Sequence, residues 1–243
     1  MNHRHSLMRG PSRRVRAGGL LAGVALFFAS GVASSARGEV PENLADVEKR
    51  LIAYHDSGAY DRDLEAMASQ VIEYIQSNAA ASKKPALVLD IDETSLSNWA
   101  KLLADQFAFF PTGPCDLLPK GPCGEDSWEQ MGIATPIWAT RRIYEAARDA
   151  HVTVFFVTGR QNRFRHATIQ NLHDAGYTEF ADVLMEEDGA HFASAADFKS
   201  VQRARIEEAG YTIIANVGDQ QSDLTGGHAK RAFQMPNPFY LIL

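Results

Sequence analysis

Cysteine is almost missing from this chain: its 243 residues contain two, Cys115 and Cys123. That excludes a small scaffold held by several disulfides, and also a zinc ribbon, which needs four soft or imidazole ligands at short spacing. Positive charge is scarce as well, with 24 Lys and Arg against 30 Asp and Glu and a net charge of -6. Phosphate backbones are bound by clustered Lys and Arg, so nucleic acid is excluded as a partner, and any small anionic ligand must be met by local positive charge. There is no internal repeat and no low-complexity linker. What remains, 45% hydrophobic and 22% charged residues, is globular material sufficient for one core, with or without a small cap.

The N-terminus carries a targeting pattern. Arg9, Arg13, Arg14 and Arg16 precede the apolar run Leu20 to Ala29, and the small residues Ser34 and Ala36 place a cleavage site after Ala36. Residues 1–36 read as a signal peptide and 37–243 as the mature, periplasmic or secreted protein. A membrane-anchoring helix is the competing reading, but the run is shorter than the ~20 residues a span needs. No cysteine lies nearby to take a lipid, so no stable membrane anchor is expected after cleavage. The pair Arg13-Arg14 leaves the export route open between the general secretory and twin-arginine pathways. In an oxidising compartment, Cys115 and Cys123 in a Gly/Pro-rich loop read as a disulfide; a metal site would need two further soft ligands.

Apolar spacing predicts helices over 43–54 and 61–76. After Lys83-Lys84-Pro85, the continuous aliphatic run Ala86 to Ile91 has the character of a strand buried on both faces, hence the central strand of a parallel sheet. Helices over about 136–150, 163–175 and 200–209 alternate with strands over 152–157, 182–185 and 212–217. This alternation predicts an α/β fold: a doubly wound, Rossmann-like parallel sheet, N-terminal helices in front and a small cap inserted after the first strand, over about 97–135. In that segment periodicity is lost, while aromatics, glycines and prolines accumulate.

Ligands of open α/β sheets collect beyond the carboxyl ends of the strands. This sequence places Asp90-Ile91-Asp92-Glu93-Thr94, Thr158-Gly159-Arg160 and Gly218-Asp219-Gln220-Gln221-Ser222-Asp223 at such ends. Four carboxylates gathered at one edge, from Asp90, Asp92, Asp219 and Asp223, repel one another unless a cation joins them. Hard oxygen donors with room for a substrate phosphate favour Mg2+.

These segments, with Lys199, resemble in order the four motifs of the haloacid dehalogenase-like phosphohydrolases. The flanks Leu87 to Asn98, Asn216 to Leu224 and Met235 to Tyr240 resemble the class B/C acid phosphatase branch, which includes plant vegetative storage proteins and bacterial secreted acid phosphatases. The resemblance implies a Mg2+-dependent phosphomonoesterase, an acid phosphatase of which a 5'-nucleotidase-like form is one variant, working through an aspartyl-phosphate on Asp90, with Asp92 as general acid and base. It implies that Thr158, Gly159 and Lys199 hold the substrate phosphate. The metal would be held by Asp90, the main-chain carbonyl of Asp92, Asp219 and Asp223. An acid pH optimum is likewise implied by the resemblance alone.

Arg160 is read either as a substrate contact or as the partner of an acidic neighbour, and is given no catalytic role. Trp99, Phe107, Phe109, Phe110, Trp128 and Trp138, in or beside the cap, form either a minor core or a slot for a nucleoside or aryl group; phosphate monoesters of those kinds are the expected substrates. His166, His173, His191 and His228 lack metal-ligand spacing, and no Arg-His-Gly sequence marks a histidine nucleophile. A phosphotransferase and a non-catalytic storage or binding protein on the same fold are the alternatives. A phosphate-storing receiver is disfavoured by Asp92 and the export signal, and a dehalogenase does not need a second acid at the Asp92 position.

Overall fold

A computed structural model describes residues 41–190 and 192–242; the expected signal peptide over 1–36, and His191, lie outside the described residues. Two helices lead into the sheet, α1 (Leu44–Asp56) and α2 (Ala59–Asn78), separated by Gly58 in a left-handed conformation (φ 71°). Asn43 caps α1, its side chain accepting from the Ala45 N–H at 3.0 Å. Helix α2 buries Tyr60, Leu64, Ala68, Val71 and Ile75, a stripe spaced by three or four residues.

The remaining elements are β1 (Pro85–Leu89), β2 (Leu96–Ser97), α3 (Trp99–Ala104), α4 (Glu125–Met131), β3 (Thr135–Pro136) and α5 (Trp138–Asp149), then β4 (Thr153–Gln161), α6 (Arg165–Asp174) and β5 (Asp182–Glu186). The chain continues through α7 (Ala195–Glu208), β6 (Thr212–Gly218), α8 (Gln221–Leu224) and β7 (Arg231–Gln234). Five strands pair in parallel in the order β5-β4-β1-β6-β7. Successive residues of β1 point to opposite faces. Leu87 and Leu89 join the larger core cluster with Val71, Ile75, Ile143 and Tyr144, whereas Ala86 and Val88 meet Phe198 and Ile206 of α7 on the other face. A strand covered on both sides has no polar face to show, which is why its sequence is an unbroken aliphatic run. The fold is α/β with flanking helices, as the alternation of elements implies.

Several boundaries differ from the sequence reading. Helix α7 begins at Ala195, where the Ser194 hydroxyl accepts from the Asp197 N–H at 3.2 Å, so Lys199 sits inside the helix and not at its start. Strand β4 continues through Thr158-Gly159-Arg160 to Gln161. The edge strand β7 is only four residues long, too short to reveal an alternation. Residues 97–135 contain α3 and α4, of six and seven residues, also too short for a repeat to register. They lie between β2 and β3, which pair antiparallel as a two-stranded ribbon. Leu102, Cys123 and Trp128 of this segment belong to the main core cluster.

Cys115 and Cys123 are bonded, and the Cys123 N–H donates to Asp105 Oδ1 at 2.7 Å. Closing so short a loop restricts the unfolded chain by about 2–3 kcal/mol. Reduction with dithiothreitol is therefore expected to lower the unfolding free energy by about that amount in a urea titration, and an unchanged midpoint would contradict the role given to the bond. Among the described residues, no helix is long and apolar enough to cross a membrane.

Candidate active site

The chain runs outward from β1 to β4 and β5 on one side, then returns to the other side for β6 and β7, so the strand order reverses at the carboxyl ends of β1 and β6. Asp90 directly follows β1, with its N–H donating to the Val217 carbonyl of β6 at 3.0 Å. Asp219 directly follows β6, and Asp223 stands on α8. Asp90, Asp219 and Asp223 are all buried, and each offers a carboxylate oxygen within 4.8 Å of the others.

Local chemistry fixes each of the three. A Cβ at Gly218 would lie 2.2 Å from the Asp223 Cβ, so only glycine lets that side chain fold back against the end of β6. Asp223 Oδ2 accepts from the Gln220 N–H at 2.8 Å, and its carbonyl is held by Arg203 and Asn216 at 2.7 and 2.8 Å. Asp219 accepts from the Thr94 hydroxyl at 2.8 Å, Asn237 Nδ2 at 2.8 Å and Gln220 Nε2 at 2.5 Å. Thr94 and Asn237 lie within the sequence motifs but carry no predicted role there; a hydroxyl in the turn after Asp90 and an amide between two prolines are the sequence signals that point to them.

Lys199 is buried, and its Nζ donates to Asp90 Oδ1 at 2.7 Å and to Asp223 Oδ1. It is not a solvated lysine. Burial works against its charge, but Asp90 and Asp223 outweigh that and hold the ammonium above the ordinary lysine range. Burial, then Asp223, push the Asp90 carboxyl well above the usual carboxylate range, with Lys199 opposing. Asp219 is raised by burial and by Asp223. One ammonium thus faces three carboxylates. The residual negative charge and the all-oxygen donor set fit a hard divalent cation.

The fourth aspartate faces elsewhere. Asp92 receives Arg160 Nη2 at 2.6 Å on Oδ1 and Arg160 Nε at 3.0 Å on Oδ2, and Asn98 Nδ2 donates to Oδ1 at 2.9 Å. Burial alone would raise this carboxyl; the Arg160 guanidinium outweighs it and holds Asp92 below the usual range. Of the two readings of Arg160, the acidic partner is what the geometry contains, in a buried pair and not a surface one. Thr158 is fully buried, and its Oγ1 accepts from the Arg160 N–H at 3.2 Å, leaving the hydroxyl proton free to be donated.

Glu93, in a left-handed conformation (φ 54°), accepts from the Asn98 N–H at 2.6 Å, Asn98 Nδ2 at 3.0 Å and the Tyr240 hydroxyl at 3.1 Å. Burial, followed by Asp92, pushes its carboxyl up to about 8. A group whose folded pKa is raised contributes stability that is full below its unfolded pKa, near 4.5, and is lost as pH rises through the folded value. The EDTA-treated protein should therefore melt at lower temperature at pH 8 than at pH 5, and Glu93→Gln should flatten that slope. A thermal scan at the two pH values checks it; an identical slope in the variant would contradict the assignment.

A cavity of about 760 Å³ opens over this centre, lined by Asp90, Asp92, Gly159, Lys199 and Asp219 at the sheet end and elsewhere by α3, α4 and their connection, by Phe192, Ser194 and Ala195 at the start of α7 and by Tyr240 to Ile242. The six aromatics in or beside the 97–135 segment part ways. Trp99 and Phe107 pack on Phe239, with ring centroids at 5.1 and 6.2 Å. Trp128 is buried and donates to Asn98 Oδ1 at 2.6 Å, while Trp138 and Phe110 are exposed. Only Phe107 and Phe109 line the cavity. Lys101, Glu125 and Glu129, which line it too, were not singled out from sequence, because α3 and α4 were not. His173 lies against Phe180, and His228 Nδ1 meets Glu207 at 2.7 Å, neither at the cavity.

Comparison with known proteins places these features in a wider set. The family model for the HAD superfamily, subfamily IIIB (acid phosphatase), matches residues 29–243. Acid phosphatase 1 of Solanum lycopersicum is 28% identical over 206 residues, which cover 84% of this chain and 76% of that protein. The stem 28 kDa glycoprotein of Glycine max is 26% identical over the same shares of the two chains. Among solved structures, the class C acid phosphatase from Bacillus anthracis superimposes with a TM-score of 0.60 at 21% identity, covering 82% of this chain and 86% of that one; the likeness is one of fold.

Proposed function

The chain belongs to the HAD superfamily, subfamily IIIB, the acid phosphatases, and from that premise we propose that it is a secreted, Mg2+-dependent phosphomonoesterase that works through an aspartyl-phosphate on Asp90. The observation that carries this reading is the meeting of Asp90, Asp219 and Asp223 within 4.8 Å, with Lys199 bridging Asp90 and Asp223. Asp90, Asp219, Asp223 and the carbonyl of Asp92 would hold Mg2+, which when bound neutralises negative charge on the phosphoryl oxygens and the carboxylates.

The chain's own residues supply the rest. An Asp90 carboxylate oxygen attacks phosphorus, the P–O bond to the ester alcohol breaks, and the Asp92 proton goes to the leaving oxygen. Water then attacks the acyl phosphate, giving its proton to Asp92 and releasing inorganic phosphate from a regenerated Asp90. Lys199 and the Thr158 hydroxyl stabilise the charge on the transferring group, with Gly159 leaving room beside them. In the free site Arg160 holds Asp92 anionic; an arriving phosphate dianion opposes that pull and favours the protonated carboxyl the first step needs. The same requirement agrees with an acid optimum.

Residues 1–36 act in this reading as an export signal, and residues 97–135 as a cap that shapes the leaving-group end of the cavity. Phe107 and Phe109 there support acceptance of aryl and nucleoside esters. The test is hydrolysis of p-nitrophenyl phosphate between about pH 5 and 7 by the chain from residue 37, with Mg2+ or with EDTA. Release of phosphate with Mg2+ and its loss in EDTA are expected. No turnover by folded protein under either condition would favour a storage or binding role.

A further inference from the structure

The leaving-group end of the cavity has an unusual charge arrangement. Its cation on α3, Lys101, is 3% exposed and shared between two carboxylates, Asp105 at 3.1 Å and Glu125 at 2.9 Å. Arg160 spends its Nε and Nη2 on Asp92 and turns Nη1 to the Thr168 hydroxyl at 3.4 Å. Glu129 of α4 is the group left over. Its side chain lines the cavity, it is 8% exposed, and its Oε2 is buried with no hydrogen-bond partner. A buried carboxylate without partners carries an uncompensated desolvation cost, and such a group persists at a binding site when a ligand supplies what the fold does not.

We propose that Glu129 determines leaving-group specificity by accepting an ammonium group, so that the site prefers phosphomonoesters of amino alcohols over neutral esters of the same size. The inference rests on the phosphatase reading above and adds the class of alcohol. Three observations bear on it. The cavity wall also carries the acidic residue Glu186, while Lys101 is already matched by Asp105 and Glu125, so no free cation of α3 is left to favour a leaving group with a second phosphate or a carboxylate. Phe107 and Phe109 line the same space, and ring faces attract cations. Burial, then Asp92, push the Glu129 carboxyl up to about 8 against the pull of Arg160, so an ammonium held directly on the carboxyl would favour its charged form.

The test pairs two non-hydrolysable probes of equal size, 2-aminoethylphosphonate and propylphosphonate, titrated by calorimetry with Mg2+ at about pH 7 into the wild-type chain and Glu129→Gln. The wild type is expected to bind the amino compound about 10-fold more tightly, as a charge-assisted hydrogen bond provides, and the variant to bring the ratio to about 1. Glu129→Met, which removes the orphaned Oε2 together with the charge, should give the same ratio and melt no lower than the wild type. Equal binding of both probes by the wild type, a ratio that survives in both variants, or a lowered melting temperature in Glu129→Met would overturn the proposal. Hydrolysis of p-nitrophenyl phosphate is run beside it. If that ester is cleaved while the ammonium preference is absent, only this inference fails; if neither probe binds and no ester is cleaved, the phosphatase reading fails and takes the inference with it.

Discussion

Asp90→Asn is expected to lower phosphate release from p-nitrophenyl phosphate by about 10⁴-fold or more, because loss of a nucleophile removes the covalent route and leaves only binding and charge stabilisation. The substitution preserves the shape of the side chain. It also removes one of three clustered carboxylates, the one that burial, then Asp223, push well above its ordinary range. The variant should therefore remain folded, with a melting temperature at or above that of the wild type in EDTA. That combination separates a catalytic role from a structural one. Activity within about 100-fold of wild type, in protein shown to be free of deamidation, would place the nucleophile elsewhere.

Replacing Lys199 should harm both catalysis and the fold. Lys199 is the cation between Asp90 and Asp223, and Lys199→Met leaves those two carboxylates and Asp219 buried together without one. Breaking a buried pair by removing one partner costs about 3–5 kcal/mol, and losing a charge-stabilising group at a phosphoryl centre costs about 10²–10³-fold in turnover. Without the ammonium the Asp90 pKa rises further. A raised folded pKa means stability retained in acid and lost as pH climbs, so the deficit should be largest near pH 8 in EDTA and shrink toward pH 4. Millimolar Mg2+ should recover part of it, since a cation that binds only the native state stabilises by mass action. Melting curves at both pH values, with and without Mg2+, check this. A variant as stable as the wild type in EDTA at pH 8 would contradict the proposed charge balance.

What the sequence revealed depends on the length scale of each signal. The run Ala86 to Leu89 identifies the central strand because burial on both faces removes every polar residue from it, and the three polar strand ends follow from the α/β rule. Helix α7 starts earlier than apolar spacing predicts because Ala195 to Phe198 contribute no repeating stripe; the N-cap Ser194, with Asp197 three residues on, marks the true start. Helices α3 and α4 escaped detection because one or two turns cannot display a period. With them went Lys101, Glu125 and Glu129. Asp92 is a different case. Its proximity to Asp90 along the chain is plain, but the clamp from Arg160, 68 residues away, depends on the register of β4 beside β1 and on no local pattern.

The ribbon of β2 and β3 sets the two ends of the 97–135 segment side by side, Leu96 opposite Pro136 and Ser97 opposite Thr135. A loop whose ends already meet can grow or shrink with a free-energy change that rises only as the logarithm of its length. The ribbon is anchored at the turn after Asp90, where the Glu93 N–H donates to the Leu96 carbonyl and the Leu96 N–H to the Ile91 carbonyl, both at 2.8 Å, so its paired ends stay fixed to the phosphate-handling turn whatever lies between them. Leaving-group preference can therefore change over evolutionary time by exchange of what lies between two paired residues, while the machinery that breaks the phosphate ester stays as it is.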